Sequence, residues 1–526
     1  MKRILLFQML LLSTISSYCQ TTFNDIKPIL IEYCATCHRV GGGAPFDILD
    51  YETASIWQSA ILHEVYEGYM PPWQADTSYM HFIGEREITE EAKNAIIAWV
   101  QDGAVEGDDV VVETPEYPAS LLNGIPDLVL TMTPFPSNAS SRDAYNTLVI
   151  PTGLNSEKII KAVEIIPDNP EFTHHVIVNA NEGGVITNDL SGNAYNLQGS
   201  IAVGTYAPGA NPIVYPSSDE IKMGVALPAG ADLVLQVHTP NRYSGGASLG
   251  KDIGLKVKLF FYSDEEANEV RSVYSLTPLQ YWSSDFRIPA GTKRTFEVEE
   301  EVEEFSVYDL SLFSIFPHSH QICTDIINYA FKGTDTIPLI RIDGWDFEHQ
   351  ENYYFKKMIK IPRDYTLKSI HDFDNTSANH HNPFDPPQDI SVGFDSDDEM
   401  IFDGIQIMIY EEGDELINVD SILSNDPLLN YDTVIEAGIA SIQLKNSYVY
   451  PNPAAGQAKI FFNSDHSNWN EYSIQLKDIQ GKQIEVETSI QSGFIVIERG
   501  ITPNGIYIYS IYEDDQLRSS GKIIFE

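Results

Sequence analysis

Apolar and polar positions follow three textures along this chain. Between 20 and 108 the apolar residues recur at helical spacing, most clearly as a stripe of Ala92, Ala95, Ile96, Trp99 and Val100. Thr89 is placed to cap that helix, Glu90 and Glu91 fall in its positive first turn, and Gly103 ends it. From 121 to about 425 the period shortens. Alternating or apolar runs such as Lys158–Ile166, Asp232–Thr239 and Gly404–Glu411 are broken by Gly, Pro, Asn and Asp. This predicts antiparallel β-sandwiches, and roughly 300 residues suit two of them better than one. After an irregular stretch to about 445, strand-like runs resume and end at Gly521–Glu526. The first residues differ from all of these. Lys2 and Arg3 precede an apolar run from Ile4 to Leu12, with the small residues Ser17 and Cys19 before Gln20, the pattern of a signal peptide. No other stretch reaches the ~18 apolar residues of a membrane span.

The expected organisation is therefore mainly β and multidomain. It comprises a signal peptide (1–19), a small α-helical domain (20–108), a linker (109–120), two β-sandwich domains (121–275 and 276–425), a second linker (426–445) and a C-terminal β-sandwich (446–526). A length of 526 residues demands several cores, and a 43% hydrophobic, 11% aromatic composition can fill them. With 32 basic against 76 acidic residues the formal charge is −44, which excludes nucleic acid and anionic lipid as natural partners. An exported chain that keeps only Cys34, Cys37 and Cys323 is not a disulfide scaffold.

Two of those cysteines carry chemistry. In Cys34-Ala35-Thr36-Cys37-His38 both thiols can add to the vinyl groups of a haem, and the adjacent imidazole becomes the proximal iron ligand. A zinc site would need two further ligands nearby. Met70, in Tyr69-Met70-Pro71-Pro72-Trp73, is the leading sixth ligand, with Met80, His63 and His81 as rivals. The CxxCH motif, the MPPW motif and the terminal helix make residues 20–108 resemble a small bacterial cytochrome c with covalent haem c.

The histidines of the β region form a pattern of their own. His174 and His175 are adjacent, His238 ends an apolar run, and His318 and His320 form a His-x-His pair that can chelate one ion. Adjacent histidines face opposite ways on a regular strand, so His174 and His175 reach one ion only at a strand end or bulge. The ordered set Phe172-Thr173-His174-His175-Val176, Leu235-Gln236-Val237-His238, Pro317-His318-Ser319-His320 and Asp398-Glu399-Met400 resembles the copper type II, ascorbate-dependent monooxygenases. That resemblance implies two copper ions. His174, His175 and His238 would hold an electron-transfer copper. His318, His320 and Met400 would hold the copper that activates dioxygen to hydroxylate a C–H bond of a small organic substrate. There are departures. Phe316 stands where the peptide-hydroxylating members carry a carboxylate-binding arginine, and the residues after Met400 lack the family's substrate tyrosine. A peptide C-terminus is thus not the expected substrate. His349, His371, His380 and His381 read as loop or outer-shell residues.

The C-terminal run Tyr448-Val449-Tyr450-Pro451-Asn452-Pro453, with Gly505–Ser510 and Gly521–Glu526, resembles the type A sorting domain of the type IX secretion system. It implies passage through that machinery to the surface or the medium. Two functional readings follow. In one, an external donor reduces the haem, which feeds a copper monooxygenase. In the other, the chain is a surface electron-transfer or copper-binding protein without oxygenase activity.

Overall fold

The computed structural model describes residues 20–108, 120–139, 143–194, 201–240, 250–429 and most of 447–525. The expected signal peptide and nearly all of both expected linkers lie outside the described residues. The chain is 43% strand and 14% helix, so it is mainly β. It divides into two compact units, Met1–Asn430 and Tyr431–Glu526.

The larger unit opens with three helices: α1 (Phe23–Tyr33), α2 (Tyr51–Glu67) and α3 (Glu90–Gln101). Each start is fixed by a side chain that satisfies an orphan amide. Thr22 and Asp25 form a capping box, Asp50 accepts from Thr53 N, and Thr89 accepts from Ala92 N. Each such cap contributes about 1 kcal/mol. Helix α2 stops at Gly68, whose φ of 85° is costly for residues with a Cβ. Ile26, Leu30, Ile61, Ile96 and Trp99 close a small core between the helices.

Two β-bodies follow. In the first, a sheet ordered Asp189–Gly192, Ala144–Pro151, Ala231–Thr239, His175–Glu182 and Ile201–Tyr206 faces a six-stranded sheet built around Lys158–Pro167 and Leu255–Phe261. Residues of both sheets share one core. The central strand Ala231–Thr239 is buried at all nine positions, which explains its almost unbroken apolar character. The chain crosses to the second body between Ser272 and Tyr274. There, one sheet is ordered Tyr274–Gln280, Phe402–Ile409, Leu310–Phe316, Tyr353–Ile361. The other is ordered Thr292–Glu301, Thr366–Asn375, Cys323–Lys332, Asp335–Asp343. A second core joins them.

The segment between α2 and α3 does not stay with the helices. Ala75 and Phe82 make short antiparallel pairings with Ile342 and Phe355, and both side chains are buried in the second body's core. Trp73 and Met80 pack against that same core. Helices and β-bodies thus interlock within one unit. The smaller unit has two four-stranded antiparallel sheets on a core that includes Ile460, Leu476, Ile497, Tyr509 and Ile523.

Candidate metal centres

Three strands assemble the first histidine cluster. A single helical turn, Pro170–Phe172, delivers the chain to His174, whose amide donates to the carbonyl of His238 at 3.0 Å. His175 then opens its strand and lies opposite His238, which pairs on its other side with Tyr145. The adjacent histidines therefore sit at a strand end, the geometry that lets both reach one point. Their Nδ1 atoms and that of His238 lie 3.1, 3.3 and 3.1 Å apart, and the ring of Tyr145 stacks on His238 at 4.3 Å. On the outer side, His238 Nε2 meets Asp143 at 2.9 Å and His174 Nε2 meets Glu348 at 3.1 Å. A neutral imidazole has one N–H. Those two rings spend theirs on carboxylates, so their Nδ1 lone pairs point inward. Three nitrogens so spaced have a common point roughly 2 Å from each, the length of a metal–imidazole bond. Burial, then the neighbouring histidines, pushes the pKa of His175 well below its ordinary value, which keeps the ring neutral and able to ligate.

The second cluster lies just past the strand Leu310–Phe316, in a loop rather than on the strand itself. His318 Nε2 lies 3.2 Å from Met400 Sδ, and the rings of His318 and His320 are 5.3 Å apart. Here the Nδ1 atoms face outward, to Gln350 Oε1 at 2.7 Å and to the Asp398 carbonyl at 3.2 Å. That leaves Nε2 as the atom through which each ring could take a metal. Burial lowers His318 to about 4 and His320 to about 3.

Two buried carboxylates hold this loop. Glu399 accepts from the amides of His320 and Ile322 at 2.9 and 2.8 Å, and burial pushes its pKa up to about 7. Asp403 accepts from the His318 amide at 2.9 Å and from His371 Nε2 at 3.0 Å. His371 is fully buried on the strand Thr366–Asn375, so it is not a loop residue. It acts on the cluster through Asp403. His380 and His381 lie in a turn, and His349 bonds Asp346 at 3.0 Å.

Both clusters face one cavity of about 330 Å³ between the two β-bodies. His175 comes from one side and His318, His320 and Met400 from the other. Tyr145, Tyr206, Trp282, Phe316, Phe347, Phe394 and Phe402 form most of the remaining wall, with Gln236, Gln280 and Gln350 among them.

The expected haem residues gather near the helical core. Cys34, Phe46 and Met70 pack against it, and His38 stacks on Phe46 at 4.5 Å. Burial holds the His38 pKa below its ordinary value. Burial pushes the Cys34 thiol up to about 12 and raises that of Cys37. Of the other expected axial ligands, Met80 is drawn into the second β-body and His81 pairs with Glu85 at 3.0 Å, whereas Met70 packs against the helical core.

Cys37 also touches the first β-body. A Cβ on Gly209 would come within 2.5 Å of its Sγ, so only glycine admits this approach. Gly209 follows the strand Ile201–Tyr206, in which Tyr206 pairs with Val176, next to His175. The loop Trp345–Glu351 touches every part of this arrangement. Trp345 Nε1 donates to the His320 carbonyl, Glu348 reaches His174 and Gln350 reaches His318. Gln74 bonds Asp346, and Glu351 takes Arg86 at 2.8 Å, both from the α2–α3 segment. Sequence reasoning missed Glu348, Gln350 and Asp143. Their partners His174, His318 and His238 lie far away in the chain, and nothing in their local sequence marks them.

Residues 448–526 match the family model of a secretion system C-terminal sorting domain. The C-terminal unit is a type IX sorting domain. Its presence makes the chain an exported one, handled by the type IX machinery and destined for the cell surface or the medium. Among the described residues, no helix is long and apolar enough to cross a membrane. No curated protein sequence matches the chain. Solved structures that overlap it include the Lin-41 filamin domain, at 11% identity and a TM-score of 0.14, covering 16% of this chain and 98% of that one. The BSP domain of a biofilm associated protein overlaps at 8% identity and 0.14, covering 79% and 84%. The infectious bursal disease virus Gt strain structure overlaps at 12% and 0.16, covering 59% and 77%. Overlaps at such TM-scores carry no argument, so what the sorting domain exports is read from the clusters themselves.

Proposed function

We propose that the sorting domain exports a haem- and copper-containing monooxygenase that hydroxylates a C–H bond of an organic substrate with dioxygen. In this reading the helical segment is a cytochrome c, and the β-bodies are jelly-roll-like sandwiches that each hold one copper. The observation that carries it is the convergence of three imidazole Nδ1 atoms at 3.1–3.3 Å on one wall of the cavity, with the His318–Met400 contact at 3.2 Å also facing it. His174 and His238 spend their Nε2–H on carboxylates, which turns their Nδ1 lone pairs toward that common point.

When bound, copper at the two clusters would supply two electrons and the dioxygen chemistry that inserts one oxygen atom and reduces the other to water, and haem would supply electron entry. The chain's own residues do the rest. Asp143 and Glu348 fix the ring orientation and tautomer of His238 and His174, as Gln350 does for His318. Met400 offers a thioether, the donor that favours Cu(I). Seven aromatic side chains give the cavity a largely apolar wall. Gly209 lets Cys37 approach the strand that flanks His175, which supports the haem segment as the electron inlet.

The test is metal analysis and oxygen consumption on mature protein made with c-type haem machinery. One covalent haem and two coppers per chain are expected, with reductant-dependent oxygen uptake that rises with substrate. Two coppers without uptake across a broad substrate panel would instead indicate an electron-transfer or copper-binding protein. Absence of copper binding would overturn both.

A further inference from the structure

The cavity wall narrows the substrate class. We infer that the site takes a neutral, flat, largely aromatic molecule, not an anion or a cation. This rests on the reading of the cavity as the substrate chamber. Seven aromatic side chains line it, and among the described residues no Asp, Glu, Lys or Arg does. The carboxylates closest to the clusters, Asp143 and Glu348, are engaged by His238 and His174 on the outer side of the rings. In the metal-free chain a charged ligand would find no charged side chain on this wall to pair with, and burying an unpaired charge is heavily penalised.

Size points the same way. A cavity of about 330 Å³ lies at the small end of the roughly 300–1,000 Å³ typical of ligand sites, which suits a compact molecule. The mouth is also aromatic. Trp282 and Phe394 are 40% and 45% exposed, yet lie 4.6 Å apart against each other. Two exposed aromatics so placed can accept a planar ring between the wall and solvent. Gln236, Gln280 and Gln350 supply uncharged donors and acceptors to orient it.

Indole, indole-3-acetate and tryptamine share one ring and differ in charge. Their binding is measured by calorimetry on the full mature chain, both copper-loaded and metal-free. In the metal-free chain, where only the wall decides, indole should bind at least about tenfold tighter than either charged analogue. Trp282→Ala and Phe394→Ala, both at exposed positions, should weaken indole about three- to tenfold. Phe316→Arg should reverse the order in favour of indole-3-acetate. If that variant does not fold, the mouth variants and the three probes still decide. Equal or tighter binding of a charged probe, indifference to Trp282→Ala, or no indole binding would each overturn the inference. Failure here with two coppers bound leaves the oxygenase reading standing, while indole binding to a chain that takes no copper overturns that reading alone.

Discussion

The two histidine clusters face the same cavity but are built with opposite chemistry. The first offers three imidazoles through Nδ1, and the carboxylates of Asp143 and Glu348 stand behind two of them. In the proposed reading the second would use two imidazoles through Nε2 and a thioether, and the groups behind it are a neutral amide and a backbone carbonyl. Negative charge behind an imidazole raises its basicity and favours the more highly charged metal. A thioether and neutral outer partners favour the less charged, softer state. The difference suits a division of labour in which the first cluster stores an electron and the second meets dioxygen.

The most severe test removes one ligand from each side. His318→Ala should reduce copper from two to one per chain and take oxygen uptake below detection. His238→Ala should also leave one copper, but at the other cluster, and should stop multiple turnover while sparing a single one from pre-reduced protein. Metal analysis with electron paramagnetic resonance distinguishes the remaining sites. Loss of both coppers in either variant would mean that the two clusters make one coupled site, and the comparison would collapse.

A second test uses protonation of the metal-free protein. His318 and His320 ionise in the fold only near 4 and near 3, whereas in the unfolded chain they ionise near 6.5. Above 6.5 both states are neutral and the full stability is present. As pH falls below 6.5 the unfolded chain takes up protons that the fold refuses, so stability drops until the folded groups titrate. Glu399 opposes this, because its folded pKa of about 7 lies above its unfolded value and its contribution grows as pH falls through 7 toward 4.5. Three depressed histidines, counting His175, outweigh one raised glutamate. The urea midpoint should therefore fall from pH 6.5 to 5, by on the order of a few kcal/mol in stability. His318→Gln should flatten that slope. A midpoint that rises over this range would show the second cluster to be less dry than its burial implies.

What the sequence disclosed and what it hid divide along the same line. Local spacing was enough for the helix capped by Thr89, the buried strand that carries His238, and the need for a strand end at His174 and His175. It could not say which core a loop aromatic would enter. Trp73 and Phe82 sit between two helices in sequence, yet pack with Tyr353 and Phe355 of the second β-body. Nor could it find the outer partners. Asp143 and Glu348 are single carboxylates among 76 acidic residues, and only three-dimensional closure brings them to His238 and His174.

Those outer partners give the finest test, because exchanging them should move the two clusters toward each other. Asp143→Asn removes the charge behind His238 while keeping a hydrogen-bonding side chain of the same shape. Loss of such a partner typically costs 10–100-fold in metal affinity or activity, so Cu(II) should bind the first cluster roughly 10–100-fold more weakly, with Cu(I) less affected. Gln350→Glu does the converse at His318, placing a carboxylate where an amide now accepts at 2.7 Å. It should tighten Cu(II) at the second cluster and lower that copper's reduction potential, slowing oxygen uptake without changing the copper count. Competition titrations with a Cu(II) chelator and with a Cu(I) chelator read the two oxidation states separately. If both exchanges shift Cu(I) and Cu(II) affinities equally, the charge behind the rings serves only to orient them, and the division of labour must come from Met400 alone.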